Sequence, residues 1–286
     1  MIVNPSAGGG RAGLALNEVR EALTVLGLEH RVEPTRSLEH AAELARIAAR
    51  RGEVAVALGG DGLLGAVAGA LKHSEGVVGV LRGGRGNDFA RVVGIPHDPR
   101  AACEVLASGT VRELDLGAVG SRTFIGIASC GFDSEANRIA NETRLVRGNL
   151  VYTYGALRAL AAWKPATFEI KLDGGEPQTF TGYTVAAANS KAYGGGMLLA
   201  PDASLEDGLL EVVMVGAVRK LRFLRLLPTV FKGEHVRQPN VQVLRAREVQ
   251  ISAQRPFNLY ADGDPIAELP VTVRTLHRAV RVILPG

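Results

Sequence analysis

Val54-Ala55-Val56-Ala57-Leu58-Gly59-Gly60-Asp61-Gly62 carries an uninterrupted apolar run into a glycine-rich turn, and the helical spacing of Leu63–Lys72 follows directly. A strand apolar on both faces belongs in a parallel sheet covered on both sides. The same alternation surrounds it. Met1–Val3 is a short strand, Leu16, Val19, Leu23 and Leu26 repeat at helical steps, and a strand is expected near Leu28–Val32. Ser37 is placed to cap a helix that runs to Arg51, with Gly52 at its C-terminal end. Val77–Leu81 is a further apolar strand. This is the pattern of a doubly wound, three-layer α/β domain, expected over residues 1–115.

The pattern changes after about residue 112. Thr123–Ala128, Thr167–Leu172, Gln178–Asn189, Gly208–Val215, Val241–Leu244, Glu248–Ser252 and Val271–Arg274 read as strands, with a hairpin turn at Asp173-Gly174-Gly175. One helical stretch, about Ser134–Trp163, interrupts them. The expectation for residues 116–286 is a mostly antiparallel β-sandwich domain, with a return of its last residues to the first domain left open.

Composition sets the outer bounds. The chain is 286 residues long, 47% hydrophobic and 22% charged, so it buries a core. Its 35 glycines are about 12% of the chain, against a usual share of about 7%, and no Gly-X-Y period accounts for them. A net charge of +4 and only 5% aromatic residues are far from a dedicated nucleic-acid binder. Two cysteines, Cys103 and Cys130, make no disulfide framework and suit packed thiols in a reducing compartment. There is no run of 18 apolar residues, and the first residues enter a loop at once, without the pattern of a leader. The expected location is cytoplasmic, with contact at a membrane periphery left open.

Three glycine-rich segments follow strands, where ligands bind in open parallel sheets. Gly8-Gly9-Gly10-Arg11-Ala12-Gly13 matches G-x-G-x-x-G, and Glu33 lies 20 residues beyond Gly13. A dinucleotide site for an NAD(P)-dependent oxidoreductase is therefore one reading, and a phosphate cradle of backbone N–H groups is the other. Gly59-Gly60-Asp61-Gly62 adds a carboxylate. Gly83-Gly84-Arg85-Gly86-Asn87-Asp88-Phe89-Ala90-Arg91 adds another carboxylate and arginines suited to phosphate. Together the loops predict a nucleotide or polyphosphate site.

Asn4-Pro5 with its glycines, Gly59–Gly62 and Gly86–Arg91 resemble the diacylglycerol kinase catalytic family, the soluble group that includes bacterial lipid kinases and sphingosine kinases. The resemblance continues through Gly131-Phe132-Asp133, Tyr193–Met197, Pro201-Asp202-Ala203, Asp207–Leu210 and Ala261-Asp262-Gly263-Asp264. It implies ATP- and Mg2+-dependent phosphorylation of a lipid hydroxyl such as that of diacylglycerol, in a cleft between two domains. It implies Asp262 as the base or positioning group, with Asp264 and Asp61 beside it. Asn4, Gly8, Gly9, Gly10, Arg11, Gly59, Gly60, Asp61, Gly62, Gly84, Arg85, Asn87 and Asp88 would face the nucleotide. Asp61, Asp88 and Asp133 would hold magnesium through water. Asp207, the Leu209 carbonyl and Ser204 would hold a structural magnesium ion.

The chain departs from the family pattern at Leu63, where a threonine is usual, and at Arg82 and Arg85, where proline and threonine are usual. Either Arg85 contacts phosphate in a variant site, or a non-catalytic nucleotide- or lipid-binding protein has kept the fold. An NAD kinase shares the Gly-Gly-Asp-Gly loop but not the Asn-Asp-Phe-Ala-Arg segment.

Between Val212 and Gly233 no acidic residue occurs, while Arg219, Lys220, Arg222, Arg225 and Lys232 alternate with leucines and phenylalanines. The segment reads as a solvated amphipathic helix or as a surface for anionic lipid. The expected partners are a lipid alcohol and, peripherally, an anionic membrane, with a homodimer left open and no nucleic acid. The six histidines form no constellation, and neither His235 nor His277 has an acidic partner readable from spacing.

Overall fold

A computed structural model describes residues 1–142 and 150–286. The first part alternates β1 (Ile2–Val3), α1 (Ala7–Val25), β2 (Glu33–Pro34), α2 (Leu38–Arg50), β3 (Ala55–Gly59), α3 (Asp61–Ala70) and β4 (Val77–Arg82), then α4 (Asp88–Val92) and α5 (Pro99–Ser108). The strands lie parallel in the order β2-β1-β3-β4. Ser37 caps α2 by accepting from the His40 N–H at 3.1 Å, and Gly52 ends it with φ 69°.

The second part comprises β5 (Thr110–Val119), β6 (Arg122–Phe124), β7 (Ile127–Gly131), α6 (Phe132–Glu142), α7 (Leu150–Ala162), β8 (Ala166–Leu172), β9 (Gln178–Ala188), β10 (Leu210–Gly216), α8 (Lys220–Val230), β11 (Val241–Ala246), β12 (Glu248–Ala253), β13 (Asn258–Ala261), β14 (Asp264–Glu268) and β15 (Val271–Leu284). Its pairings are antiparallel, and it forms the β-sandwich-like part of the two-part architecture. Along β9 the pleat sends Val185 and Ala187 to one apolar cluster and Ala186 and Ala188 to another, so both faces are buried.

One strand joins the two parts. The start of β15 pairs antiparallel with β12, Glu248 opposite Arg274, and its end pairs parallel with β4, Arg281 opposite Val77. From Val273 to Leu284 β15 also runs antiparallel to β5, with a register shift between Leu276 and Val280. Ala279, Val280, Val282 and Leu284 pack in the α/β core, whereas Val271 and Val273 pack in the β core. The strand expected at Val271–Arg274 is thus the first third of a longer one. Arg278 adopts φ 49° at the irregularity, and this break hides the continuation from a period-two reading.

Other differences have local causes. The strand expected near Leu28–Val32 is displaced to Glu33–Pro34, where Glu33 is registered opposite Ile2. Thr123–Ala128 divides into β6 and β7 because Gly126 uses its carbonyl to receive the Asn189 and Ser190 N–H groups at 3.0 Å. Helix α5 is absent from the sequence-based expectation; Asp98 caps it by accepting from the Ala101 N–H at 2.8 Å, with Pro99 in the first turn. The helical stretch read over Ser134–Trp163 is occupied by α6 and α7, and its residues 143–149 lie outside the described residues. Cys103 and Cys130 are both buried free thiols.

Val282 is fully buried opposite Val78. Val282→Ala is expected to cost about 2 kcal/mol through lost burial and the cavity left behind. The check is a urea midpoint shift by circular dichroism with an unchanged m-value.

Candidate active site

The three glycine loops converge first on one another. A Cβ at Gly8 would lie 2.6 Å from the Gly83 carbonyl, and one at Gly84 would lie 2.4 Å from the Gly60 Cα. One at Gly83 would meet Gly59 backbone at 3.1 Å. These glycines are required because three backbone segments touch where the strand ends meet. Gly9 and Gly10 differ: both have positive φ, 74° and 97°, and nothing lies within 4 Å of their Cβ positions. They form the open part of the cradle, with Arg11 exposed beside them. Asn4 folds its own loop, accepting from the Ser6 N–H at 3.2 Å and the Ser6 hydroxyl at 2.8 Å.

Asp61 opens α3, and its carboxylate reaches across to the next helix. It accepts the Asp88 N–H at 3.1 Å and the Phe89 N–H at 3.0 Å, so it serves as the N-terminal acceptor for α4. Asn87 holds the turn before that helix in a left-handed conformation (φ 51°). It accepts from the Gly84 N–H at 2.8 Å and donates to the Gly84 carbonyl at 3.0 Å. Arg82 turns its guanidinium to the carbonyls of Ala90 and Ile95, so it braces this loop from behind, while Arg85 is exposed in front. At the other departure, a Cβ on Gly59 would lie 2.5 Å from the Leu63 side chain. Leu63 is therefore packed against the strand end it follows.

Asp88 continues the chain of carboxylates. One of its oxygens accepts the Gly195 N–H at 2.8 Å, bringing the 193–197 turn of the β part onto α4. The other is buried without a hydrogen-bond partner, and burial above all raises the pKa of the group.

Asp262 lies at the tip of the hairpin β13–β14. Asp262 and Gly263 both have positive φ, 51° and 95°, the geometry of a two-residue type I′ turn that Asp-Gly favours. The carboxylate accepts the Ile125 N–H and the Gly126 N–H, each at 2.9 Å. A Cβ on Gly126 would stand 2.5 Å from its Oδ1. Glycine is thus a geometric requirement there. Burial pushes the Asp262 pKa up to about 7, the Asp61 charge pushes the same way, and the Ile125 and Gly126 amides oppose them. Asp264 lies on the same tip near Gly62, and burial raises its pKa against the pull of Arg122.

The structure therefore brings Asp61, Asp88, Asp262 and Asp264 to one edge. Asp133 is held by other partners: it accepts from the Thr184 hydroxyl at 3.2 Å, interacts with Tyr193, and is pushed by burial up to about 6. The 193–197 turn links the two places, with Tyr193 toward Asp133 and Gly195 toward Asp88. Among the described residues, no three His, Cys, Asp or Glu side chains gather as a ready metal-binding group.

Asp207, Leu209 and Ser204 share one turn. Asp207 accepts the Leu209 N–H at 3.0 Å and Ser204 accepts the Glu206 N–H at 3.2 Å. Beneath them lies a residue the sequence reading missed. Asp115 is fully buried and accepts the Gly208 N–H at 2.6 Å and the Arg278 N–H at 2.7 Å, with His277 Nδ1 at 2.8 Å. His277 does have an acidic partner, but it stands 162 positions away. Asn189 was missed as well; its amide donates to the carbonyls of Asp115 at 3.0 Å and Ile125 at 2.9 Å, directly behind the Asp262 grip. Their only sequence signal was a polar residue inside an apolar strand.

Comparison with known proteins gives a consistent assignment. The family model for the diacylglycerol kinase catalytic domain matches residues 1–119, and that for the YegS C-terminal NAD kinase beta sandwich-like domain matches residues 126–284. A diacylglycerol kinase of Mycobacterium tuberculosis (strain ATCC 25618 / H37Rv) is 33% identical, over 99% of this chain and 94% of that protein. One of Bacillus subtilis (strain 168) is 29% identical, over 100% of this chain and 95% of that protein. The crystal structure of a diacylglycerol kinase from Bacillus anthracis str. Sterne superposes with a TM-score of 0.77 at 18% identity, covering 100% of this chain and 96% of the other. This chain belongs to the diacylglycerol kinase family.

Because the Asp262 pKa is raised above its ordinary 3.8 to about 7, its contribution to stability is present at acid pH and is lost as pH rises through that window. Asp262→Asn is therefore expected to gain in stability relative to the wild type between pH 5 and pH 8, measured by denaturant titration at the two pH values. Asp61→Asn should lower the Asp262 pKa, read by carboxyl-carbon NMR.

Proposed function

We propose that this lipid kinase transfers the γ-phosphoryl group of ATP to the hydroxyl of a diacylglycerol, with Asp262 receiving the hydroxyl proton. The observation that carries the reading is the environment of Asp262. Two consecutive backbone amides fix its carboxylate at 2.9 Å, and burial beside Asp61 sets its pKa at about 7, near the working range of a general base. The named relatives support diacylglycerol as the lipid class. In the transfer, the bond from the γ-phosphorus to the ADP oxygen breaks and one to the lipid oxygen forms. The hydroxyl proton goes to Asp262. Such a reaction needs positioning and charge neutralisation more than covalent help.

The donor set suits magnesium. The buried, unpartnered oxygen of Asp88 and the neighbouring Asp61 offer hard oxygen ligands, and Mg2+ commonly keeps waters and phosphate oxygens around one or two carboxylates. Bound there, Mg2+ supplies neutralisation of phosphate charge. The exposed Arg11 and Arg85, beside the unobstructed Gly9–Gly10 backbone, whose own N–H groups donate to the Ser6 carbonyl at 3.2 and 3.3 Å, are the groups we assign to the phosphates. Asp207, Ser204 and Leu209 remain the candidates for a structural ion, held in shape by Asp115.

The oxidoreductase reading gains nothing from Glu33, which lies 3.4 Å from Arg31 in an ion pair. The basic segment forms α8, where Leu221 is 72% exposed among Arg219, Lys220, Arg222 and Arg225. We assign this surface to peripheral contact with anionic membrane; no helix among the described residues is long and apolar enough to cross one.

Incubation with γ-labelled ATP, magnesium and dispersed diacylglycerol is expected to yield labelled phosphatidate, and Asp262→Asn should reduce the rate by at least about a hundredfold. Since the base must be ionised, kcat/KM should rise with pH to a plateau above about pH 7. A wild-type protein that labels no lipid, or a variant as active as the wild type, would refute the assignment. Arg85→Ala should raise the KM for ATP about tenfold with kcat little changed; an unchanged KM removes Arg85 from the phosphate site.

A further inference from the structure

We infer that a cavity of about 430 Å3 between α6, α7 and the chain entering β13 binds a second lipid, a phosphate-bearing acyl glycerolipid, beside the phosphoryl acceptor site. Its walls divide by chemistry. The floor is apolar and aromatic, with Ile139, Ala159, Trp163 and Tyr260 all buried. The rim is cationic: Arg138, Lys164 and Arg255 stand there against one carboxylate, Glu135. Arg255 is fixed in place, stacked 4.9 Å over both Trp163 and Phe257 and donating to the Lys164 carbonyl at 2.6 Å. Arg138 is paired with Glu135 at 2.7 Å, which leaves the rim with a net charge of about two positive units. An apolar floor under a positive rim selects an amphiphile with an acyl chain and an anionic head. A neutral diacylglycerol has no charge to answer that rim, whereas a glycerolipid phosphate does.

The cavity is also placed where a membrane lipid would reach it. Lys220, the first residue of α8, donates from Nζ to the Ala161 carbonyl at 2.8 Å, three residues before Lys164. The rim thereby joins the basic face of α8, and Leu157 (51% exposed) and Leu221 (72%) stand out beside this surface as apolar contacts. On the other side, Asn258 and Tyr260 line the cavity from β13, four and two residues before Asp262 at the hairpin tip. At about 3.3 Å per residue, the cavity wall begins about 7 Å from Asp262 and extends to about 13 Å. A lipid seated there is a neighbour of Asp262, and its place beside the acceptor rests on the role proposed above for that residue.

The chain has a single tryptophan, and it lines the cavity, so occupancy can be read directly. The full chain is mixed with phosphatidylcholine vesicles containing phosphatidylglycerol whose acyl chains carry bromine, a contact quencher, and Trp163 emission is followed. A parallel arm uses brominated phosphatidate, the phosphorylated product, and a control uses brominated phosphatidylcholine alone. Saturable quenching by the two anionic lipids and not by the control is expected. Quenching by phosphatidate alone identifies the occupant as the product rather than a bulk membrane lipid. Arg138→Gln with Lys164→Gln should weaken the anionic-lipid quenching at least about tenfold. Arg222→Gln with Arg225→Gln should reduce the protein bound to vesicles while leaving the quenching per bound protein unchanged. Asp262→Asn should quench like the wild type, which separates this site from the catalytic assignment. Equal quenching by brominated phosphatidylcholine at equal protein bound, or no effect of the Arg138 and Lys164 changes, overturns the inference.

Discussion

Carboxylates that receive backbone N–H groups hold this molecule's working edge together. Asp61 takes the Asp88 and Phe89 amides, Asp88 takes Gly195, Asp115 takes Gly208 and Arg278, and Asp262 takes Ile125 and Gly126. Each bond crosses between elements remote in sequence, and that of Asp88 to Gly195 joins the α/β part to the β part. Hydrogen bonds to charged groups contribute about 1.5–3 kcal/mol each, roughly double a neutral pair. The same arrangement gathers negative charge where desolvation opposes it, so Asp88 and Asp262 both have raised pKa values. Groups that fasten the edge are thereby also poised to bind a cation or take a proton.

Backbone proximity is the second constraint. Gly8, Gly59, Gly60, Gly83 and Gly84 let three strand ends meet with no side chain between them, leaving Gly9 and Gly10 as the open arc. The glycine excess thus divides into residues that pack loops together and residues that leave open space in front of the backbone. The departures at Leu63 and Arg82 fit this division, since both side chains turn inward to brace the loops, and Arg85 alone faces out.

The features we assign to lipid lie on the β part. A basic helix with an exposed leucine adjoins a cavity with an aromatic floor, and the strand that leaves the cavity ends at Asp262. An enzyme whose acceptor is embedded in a bilayer must bring a charged nucleotide and an apolar lipid to one atom. On the function proposed above, the N-terminal glycine loops and the C-terminal amphipathic surface divide that demand between them.

Local sequence was enough to place the parallel α/β pattern, the Asp173-Gly174-Gly175 hairpin, the Ser37 cap and the family motifs, because short-range periodicity, turn chemistry and caps are written in consecutive residues. Asp61 was legible from its glycine-flanked turn, whereas Asp262 was legible only through the family motif Ala261-Asp262-Gly263-Asp264. Asp115, Asn189 and His277 were not, since their partners lie between 64 and 163 positions away, and a polar residue within an apolar run announces no partner. Nor was the reach of β15 legible, because a break at Arg278 interrupts the pleat while pairing on both sides continues. The sequence by itself determined which residues could carry charge into tight turns. Tertiary structure alone decided which of those charges meet, because hydrogen bonds and Coulomb forces act over ångströms in space and are indifferent to distance along the chain.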